Sequence, residues 1–166
     1  MTWSIVARDD AGHFGVAVAS RFFAARALCV YTRRGAGALS TQALMNPLYG
    51  AAGLDLLGSG HYAAQVVSTL ANADAGREQR QLHVLTATGP GAAFTGTACV
   101  DWCGHQVHDG FSVAGNMLVG PRVIEATGEA FVACLAGRHD PVGLTDRAQI
   151  EASIARFQAA RQERGQ

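Results

Sequence analysis

Hydrophobic and polar positions alternate from the second residue onward. In TWSIVAR, Trp3, Ile5 and Ala7 fall on one side of an extended chain, and Thr2, Ser4, Val6 and Arg8 on the other. A period of two is the mark of a β-strand. The run Asp9-Asp10-Ala11-Gly12-His13 then turns the chain. Phe14 to Ser20 (FGVAVAS) predicts the return strand of a hairpin. It lacks clean alternation, as expected of a strand buried on both faces. Two more strands are expected at ALCVYT (27–32) and AGALSTQA (36–43), with Arg33-Arg34-Gly35 turning between them.

The period changes at Asn46-Pro47, an N-cap followed by proline at the first helical position. Leu48, Ala52 and Leu56 would line one face of that helix, although Gly50 and Gly53 weaken it. From His61 to Ala73 the pattern is firmer: Ala63, Val66, Val67, Leu70 and Ala71 form a helical stripe ending near Asp74-Ala75-Gly76. Strands return at RQLHVLTAT (80–88), GAAFTGTACVDW (91–102) and DGFSVAGN (109–116), with Gly89-Pro90-Gly91 as a turn. Past Gly120-Pro121 the chain predicts a helix to about Ala136. Asp146 caps a last helix that places Ile150, Ile154 and Phe157 on one face. The order is strands, a helical pair, strands, then helix, without βαβ alternation. It predicts one α+β domain over residues 1–166, a mainly antiparallel sandwich with its helices outside.

Composition adds three constraints. Hydrophobic residues make up 49% and charged residues only 16% of the chain, against a usual charged share of about 25%. That favours a compact core and a large subunit interface, hence a homo-oligomer such as a dimer. Formal net charge is zero and all 13 basic residues are arginine, which argues against nucleic-acid and polybasic membrane partners. No apolar run approaches the roughly 18 residues of a membrane span, and the N-terminus lacks a signal-peptide layout. A cytoplasmic location follows as an expectation, with Cys29, Cys99, Cys103 and Cys134 as reduced thiols.

Four segments carry candidate chemistry. Removal of Met1 would leave Thr2 with a free α-amine beside its own hydroxyl, the arrangement of an amine-activated threonine nucleophile. Alone, those ten residues fit a plain strand start better. In FSVAGNMLVGP, a strand ending at Gly115-Asn116 would expose backbone N–H groups and the Asn116 amide to an oxyanion. In STQALMNPLYG, Ser40 and Gln42 face one way and Thr41 the other, so one polar face borders a pocket or caps a strand end. Cys99, Cys103, His105 and His108 are crowded for a zinc site, and no metal is expected there; His105 fits better as a polar site residue. No phosphate-binding glycine motif is present, and no cofactor is called for.

SIVARD, GVAVASRF, STQALMNPLYG, LDLLGSG, DAGREQRQ, FTGTACVDWCGH and GNMLVGP, in this order from Thr2 to about Phe131, resemble the family known as domain of unknown function 1028. The resemblance implies an N-terminal-nucleophile (Ntn) hydrolase-like four-layer αββα sandwich. It also implies an amidohydrolase acting on a small amide or peptide-like substrate. Thr2 would be the nucleophile, with Gly115 and Asn116 at the oxyanion. Ser20, Arg21, Thr41, Gln42, Asn46 and His105 would line the site, and Ser4 would be the fallback hydroxyl. The contrasting expectation is a non-catalytic, oligomeric or ligand-binding relative. Two departures matter. Proteasome-like enzymes carry a catalytic Asp where this chain has Ala19, and a Lys that this chain lacks altogether. The chain also passes from Cys134 to RHDPVGLTDRAQIEASIARF without the glycine-rich block usual in the family, which predicts a truncated sandwich.

Overall fold

The computed structural model describes residues 1–23 and 25–136. The elements are β1 (Thr2–Arg8), β2 (Phe14–Ser20), α1 (Ala25–Cys29), β3 (Val30–Arg33), β4 (Gly37–Ala43), α2 (Leu48–Gly58), α3 (Ala63–Ala73), β5 (Arg80–Thr86), β6 (Ala92–Thr95), β7 (Trp102–His108), β8 (Phe111–Leu118) and α4 (Arg122–Leu135). Met1–Gly128 form one compact unit; a second begins at Glu129, and its described part is the end of α4. The expected helix capped by Asp146 lies outside the described residues.

The first unit is the expected α+β sandwich. Its two four-stranded sheets run in the order β2-β1-β8-β7 and β3-β4-β5-β6, every neighbour antiparallel. Helices α2 and α3 cover the outer face of the second sheet. There Leu39, Leu82 and Val84 pack with Leu57, Val66 and Leu70. The start of α4 lies on the outer face of the first sheet, where a Cβ on Gly128 would stand 3.6 Å from His108 and 3.7 Å from Phe111. Between the sheets, Val6, Ala38 and Leu85 make an apolar cluster with Phe14 and Val16.

Several local expectations change. ALCVYT is divided: Ala25–Cys29 is helical and only Val30–Arg33 is strand. GAAFTGTACVDW contributes just Ala92–Thr95, and the Cys/His segment Trp102–His108 is itself a strand. Strand β2 is an edge strand, and its outward Gly15 and Ala17 are exposed. Small side chains there had hidden the alternation that a half-exposed strand should show.

On α2 the buried face holds Tyr49, Gly50, Gly53 and Leu57, while Leu48 is exposed. The glycines are the contact. A Cβ on Gly50 would lie 2.1 Å from the Tyr31 ring, so their absence of side chain lets the helix settle on the sheet. Their poor helix propensity, roughly 1 kcal/mol against alanine, is outweighed by close packing.

Strand β8 does not stop at Asn116. It continues to Leu118 through a β-bulge, because Trp102 pairs with Leu118 and Gly104 with Gly115. Two residues, Asn116 and Met117, thus oppose Cys103 alone. Met117 takes φ 55° to do so, a backbone region costly for a side chain with a Cβ.

Candidate active site

Pairing register brings three polar side chains abreast. Thr2 pairs with Ser20 on one side and with Asn116 on the other. Directly paired residues point to the same face with Cβ atoms about 5 Å apart. The row Ser20-Thr2-Asn116 therefore crosses the end of the first sheet on its inner face. Gln42, on the last turn of pleat in β4, meets it from the second sheet. These four residues and Arg21 line one cleft of about 550 Å³, whose other walls include Leu28, Cys29, Leu44, Met45 and Met117. Thr2 Oγ1 lies 2.8 Å from Ser20 Oγ, and Ser20 Oγ also accepts the Phe22 N–H at 3.0 Å.

Other residues singled out in the sequence lie elsewhere. Ser4 is buried and does not reach the cleft. Gly115 is a ladder position between Trp3 and Gly104, and its carbonyl accepts from Gln81 at 2.9 Å. Thr41 faces the helices, as its alternation with Gln42 required, and accepts the Asn46 N–H at 3.4 Å. Asn46 caps the start of α2 through a bond from the Leu48 N–H at 3.1 Å. His105 is on β7, with Nδ1 2.8 Å from Thr95 Oγ1. Among the described residues no three His, Cys, Asp or Glu side chains gather to hold a metal. Cys99 and Cys103 direct their thiols to the carbonyls of Arg80 and Cys99. Cys29 is in the cleft, but burial pushes its thiol pKa up, the reverse of what a nucleophilic cysteine needs.

Behind the cleft runs a buried polar chain that sequence reasoning missed. Gln42 Nε2 donates to Gln81 Oε1 at 2.6 Å, and Asn116 Nδ2 donates to the same atom at 3.3 Å. Ser4 Oγ donates to Gln42 Oε1 at 2.6 Å and lies 2.8 Å from His83 Nε2. His83 Nδ1 lies 3.0 Å from Ser112 Oγ. Burial, with His105 nearby, drives the His83 pKa down to about 3, so the ring is neutral. Ser4 and His83 have the spacing of a serine–histidine pair, but neither has access to a substrate. The available sequence signal was the alternation in Arg80–Thr86, where Gln81 and His83 share the face opposite Leu82 and Val84.

A family model described as "Family of unknown function (DUF1028)" matches residues 2–152. The chain belongs to this family. It is similar to the crystal structure of protein SPO2555 from Silicibacter pomeroyi, also assigned to DUF1028, with a TM-score of 0.76 and 32% identity. The match covers 80% of this chain and 62% of that one, so the chain spans less than two thirds of that protein's length. No curated protein matches it.

In this DUF1028 chain two segments that carried the resemblance meet at Asp74. Its Oδ2 accepts from Asn46 Nδ2 at 3.0 Å, Tyr49 Oη at 2.9 Å and Arg80 Nε at 3.0 Å, and its Oδ1 accepts from the Gly76 N–H at 2.7 Å. Those bonds, led by Asn46, hold the Asp74 carboxyl well below the usual carboxylate range. Arg80 also donates to the Leu44 carbonyl. The cluster thereby fastens the segment Leu44–Pro47, which forms one wall of the cleft. Among the described residues no helix is long and apolar enough to cross a membrane.

Proposed function

We propose that the cleft is the active site of an Ntn-type amidohydrolase, in which removal of Met1 frees the α-amine of Thr2 and Thr2 Oγ1 attacks a substrate amide. The observation that supports this reading is the row Ser20-Thr2-Asn116 opposite Gln42 at the mouth of an apolar-walled cleft. An α-amine has a pKa of about 7.7–8, so a useful fraction is unprotonated near neutral pH without help from a lysine. The amine takes the hydroxyl proton as Oγ1 bonds to the carbonyl carbon. The C–N bond then breaks and the leaving amine carries that proton away. Water, deprotonated by the same amine, cleaves the acyl ester and restores Thr2. Arg21 at the cleft is the cationic group available to the developing oxyanion. The same reading takes the protein to be a cytoplasmic homo-oligomer with a small-molecule substrate.

Intact mass and an electrophilic β-lactone probe test this proposal. The expected result is a chain lacking Met1 that gains one adduct on Thr2 and none in Thr2→Ala. Active protein that retains Met1 would overturn it. A Met1-free chain that never labels favours a non-catalytic ligand-binding relative instead.

A further inference from the structure

The direction of every hydrogen bond in the buried chain follows from two backbone atoms. The carbonyl oxygens of Gly104 and Gly115 can only accept, and each stands 2.9 Å from the same end of the Gln81 side chain, which also donates to Thr95 Oγ1 at 2.9 Å in a shared arrangement of its two N–H groups. That end is therefore Nε2, and Oε1 points the other way. Oε1 in turn only accepts, so Gln42 and Asn116, at 2.6 and 3.3 Å, must both turn their nitrogens toward it. Gln42 then offers Oε1 to the Ser4 hydroxyl. With its proton committed, Ser4 Oγ accepts from His83 Nε2. A neutral imidazole carries one N–H, so Nδ1 is bare and takes the proton of Ser112.

The cleft end of this chain is Asn116. One N–H of its Nδ2 is held by Gln81, and its Oδ1 has no partner among the described residues. That oxygen is not enclosed, because Ser40 Oγ is the one buried side-chain polar atom without a partner among the described residues. Asn116 is itself 2% exposed, so Oδ1 has a narrow opening, and the residue lines both the cleft and an adjoining hollow walled by Leu44, Gln79, Cys99 and Val100. We propose that Gln81 is a positioning residue that sets the polarity of the cleft. It holds Asn116 with Oδ1 outward, so that the cleft takes a ligand donating an N–H, such as a primary or secondary amide with an apolar body. The proposal concerns binding alone and stands whether or not Thr2 reacts.

Nuclear magnetic resonance of the isotope-labelled full chain tests both ends of the chain. The ring-nitrogen shifts of His83 should report a protonated Nε2 and a bare Nδ1. Benzamide and N,N-dimethylbenzamide share an apolar ring and differ in their N–H. Followed at the Asn116 and Gln42 side-chain amides, benzamide should bind about fivefold more tightly, one net hydrogen bond of about 1 kcal/mol. In Gln81→Met the preference should vanish and His83 should leave its single tautomer, although that ring has no hydrogen bond to residue 81. A protonated Nδ1 in the wild-type chain would overturn the proposal. So would equal or reversed preference, no binding of either probe at millimolar concentration, or a Gln81→Met chain that keeps both signatures. If Gln81→Met fails to fold, the wild-type measurements decide by themselves.

Discussion

Strand β5 separates two interfaces of opposite character. On one face Leu82 and Val84 meet α2 and α3 through carbon alone. On the other, Gln81 and His83 meet the first sheet through directed hydrogen bonds. The apolar interface depends on filled volume and is tolerant of direction. The polar one depends on each donor finding its acceptor, since an unmet buried polar group costs about 1–3 kcal/mol. It is also the interface that ends at the cleft. The difference shows where β5 accepts a more demanding kind of packing: behind the side chains that line the cleft.

Neighbouring substitutions on β5 break the comparison most directly. Gln81→Ala should cost the most, about 4 kcal/mol, by leaving two side-chain amides and two carbonyls short of partners. Leu82→Ala, one residue along and on the other face, should cost about 3 kcal/mol through its cavity. Urea unfolding checks both, and a larger loss at Leu82 would overturn the ranking. Gly50→Ala tests the apolar interface from its own side. The added methyl meets the Tyr31 ring, and about 3 kcal/mol of overpacking is expected by the same measurement.

Acid should separate the interfaces next. His83 is held neutral with a pKa of about 3, while an unfolded chain protonates it near 6.5. Its contribution is fully present above pH about 6.5 and is lost as pH falls toward about 3, at a cost near 2 kcal/mol between pH 7 and 5. The Asp74 cluster behind α2 acts later. Its carboxyl is lowered, so its contribution survives until pH drops below the ordinary carboxylate range. Urea midpoints measured from pH 7 downward should fall in that order, and His83→Gln should flatten the first decline. The smallest effect belongs to Ser40→Ala. Its hydroxyl has no partner, so stability should change by less than about 0.5 kcal/mol, in the stabilising direction.

Much of the architecture was legible in alternation. The hairpin Thr2–Ser20, the stripe Ala63–Ala71 and the faces of Ser40, Thr41 and Gln42 all stand as their spacing required. The losses have physical causes. ALCVYT has strand composition, yet its first residues complete a short helix set by tertiary packing. WCGHQVH is polar because one side of β7 is exposed, which made a strand resemble a ligand cluster. Of the ten residues that the family motifs pointed to, Thr2, Ser20, Arg21, Gln42 and Asn116 line one cleft, while Ser4, Thr41, Asn46, Gly115 and His105 do not line it. Gln81, His83 and Ser112 were passed over because alternation marks polar positions as solvent-facing. Here a second polar sheet takes the place of solvent, which one strand's pattern cannot reveal.

The extra residue in β8 has one more consequence. Phe111, Val113 and Gly115 look outward, and simple parity would aim Leu118 inward; the bulge reverses it, so Leu118 packs near Gly115 and Trp3 on the outer side. The strand behaves like a screw that has skipped half a thread. Adjacent residues Asn116 and Met117 both border the cleft as a result. Deleting Met117 would remove the extra residue and leave the leucine on the outer side by ordinary alternation, so the cleft would lose its Met117 wall while the outer packing kept its leucine.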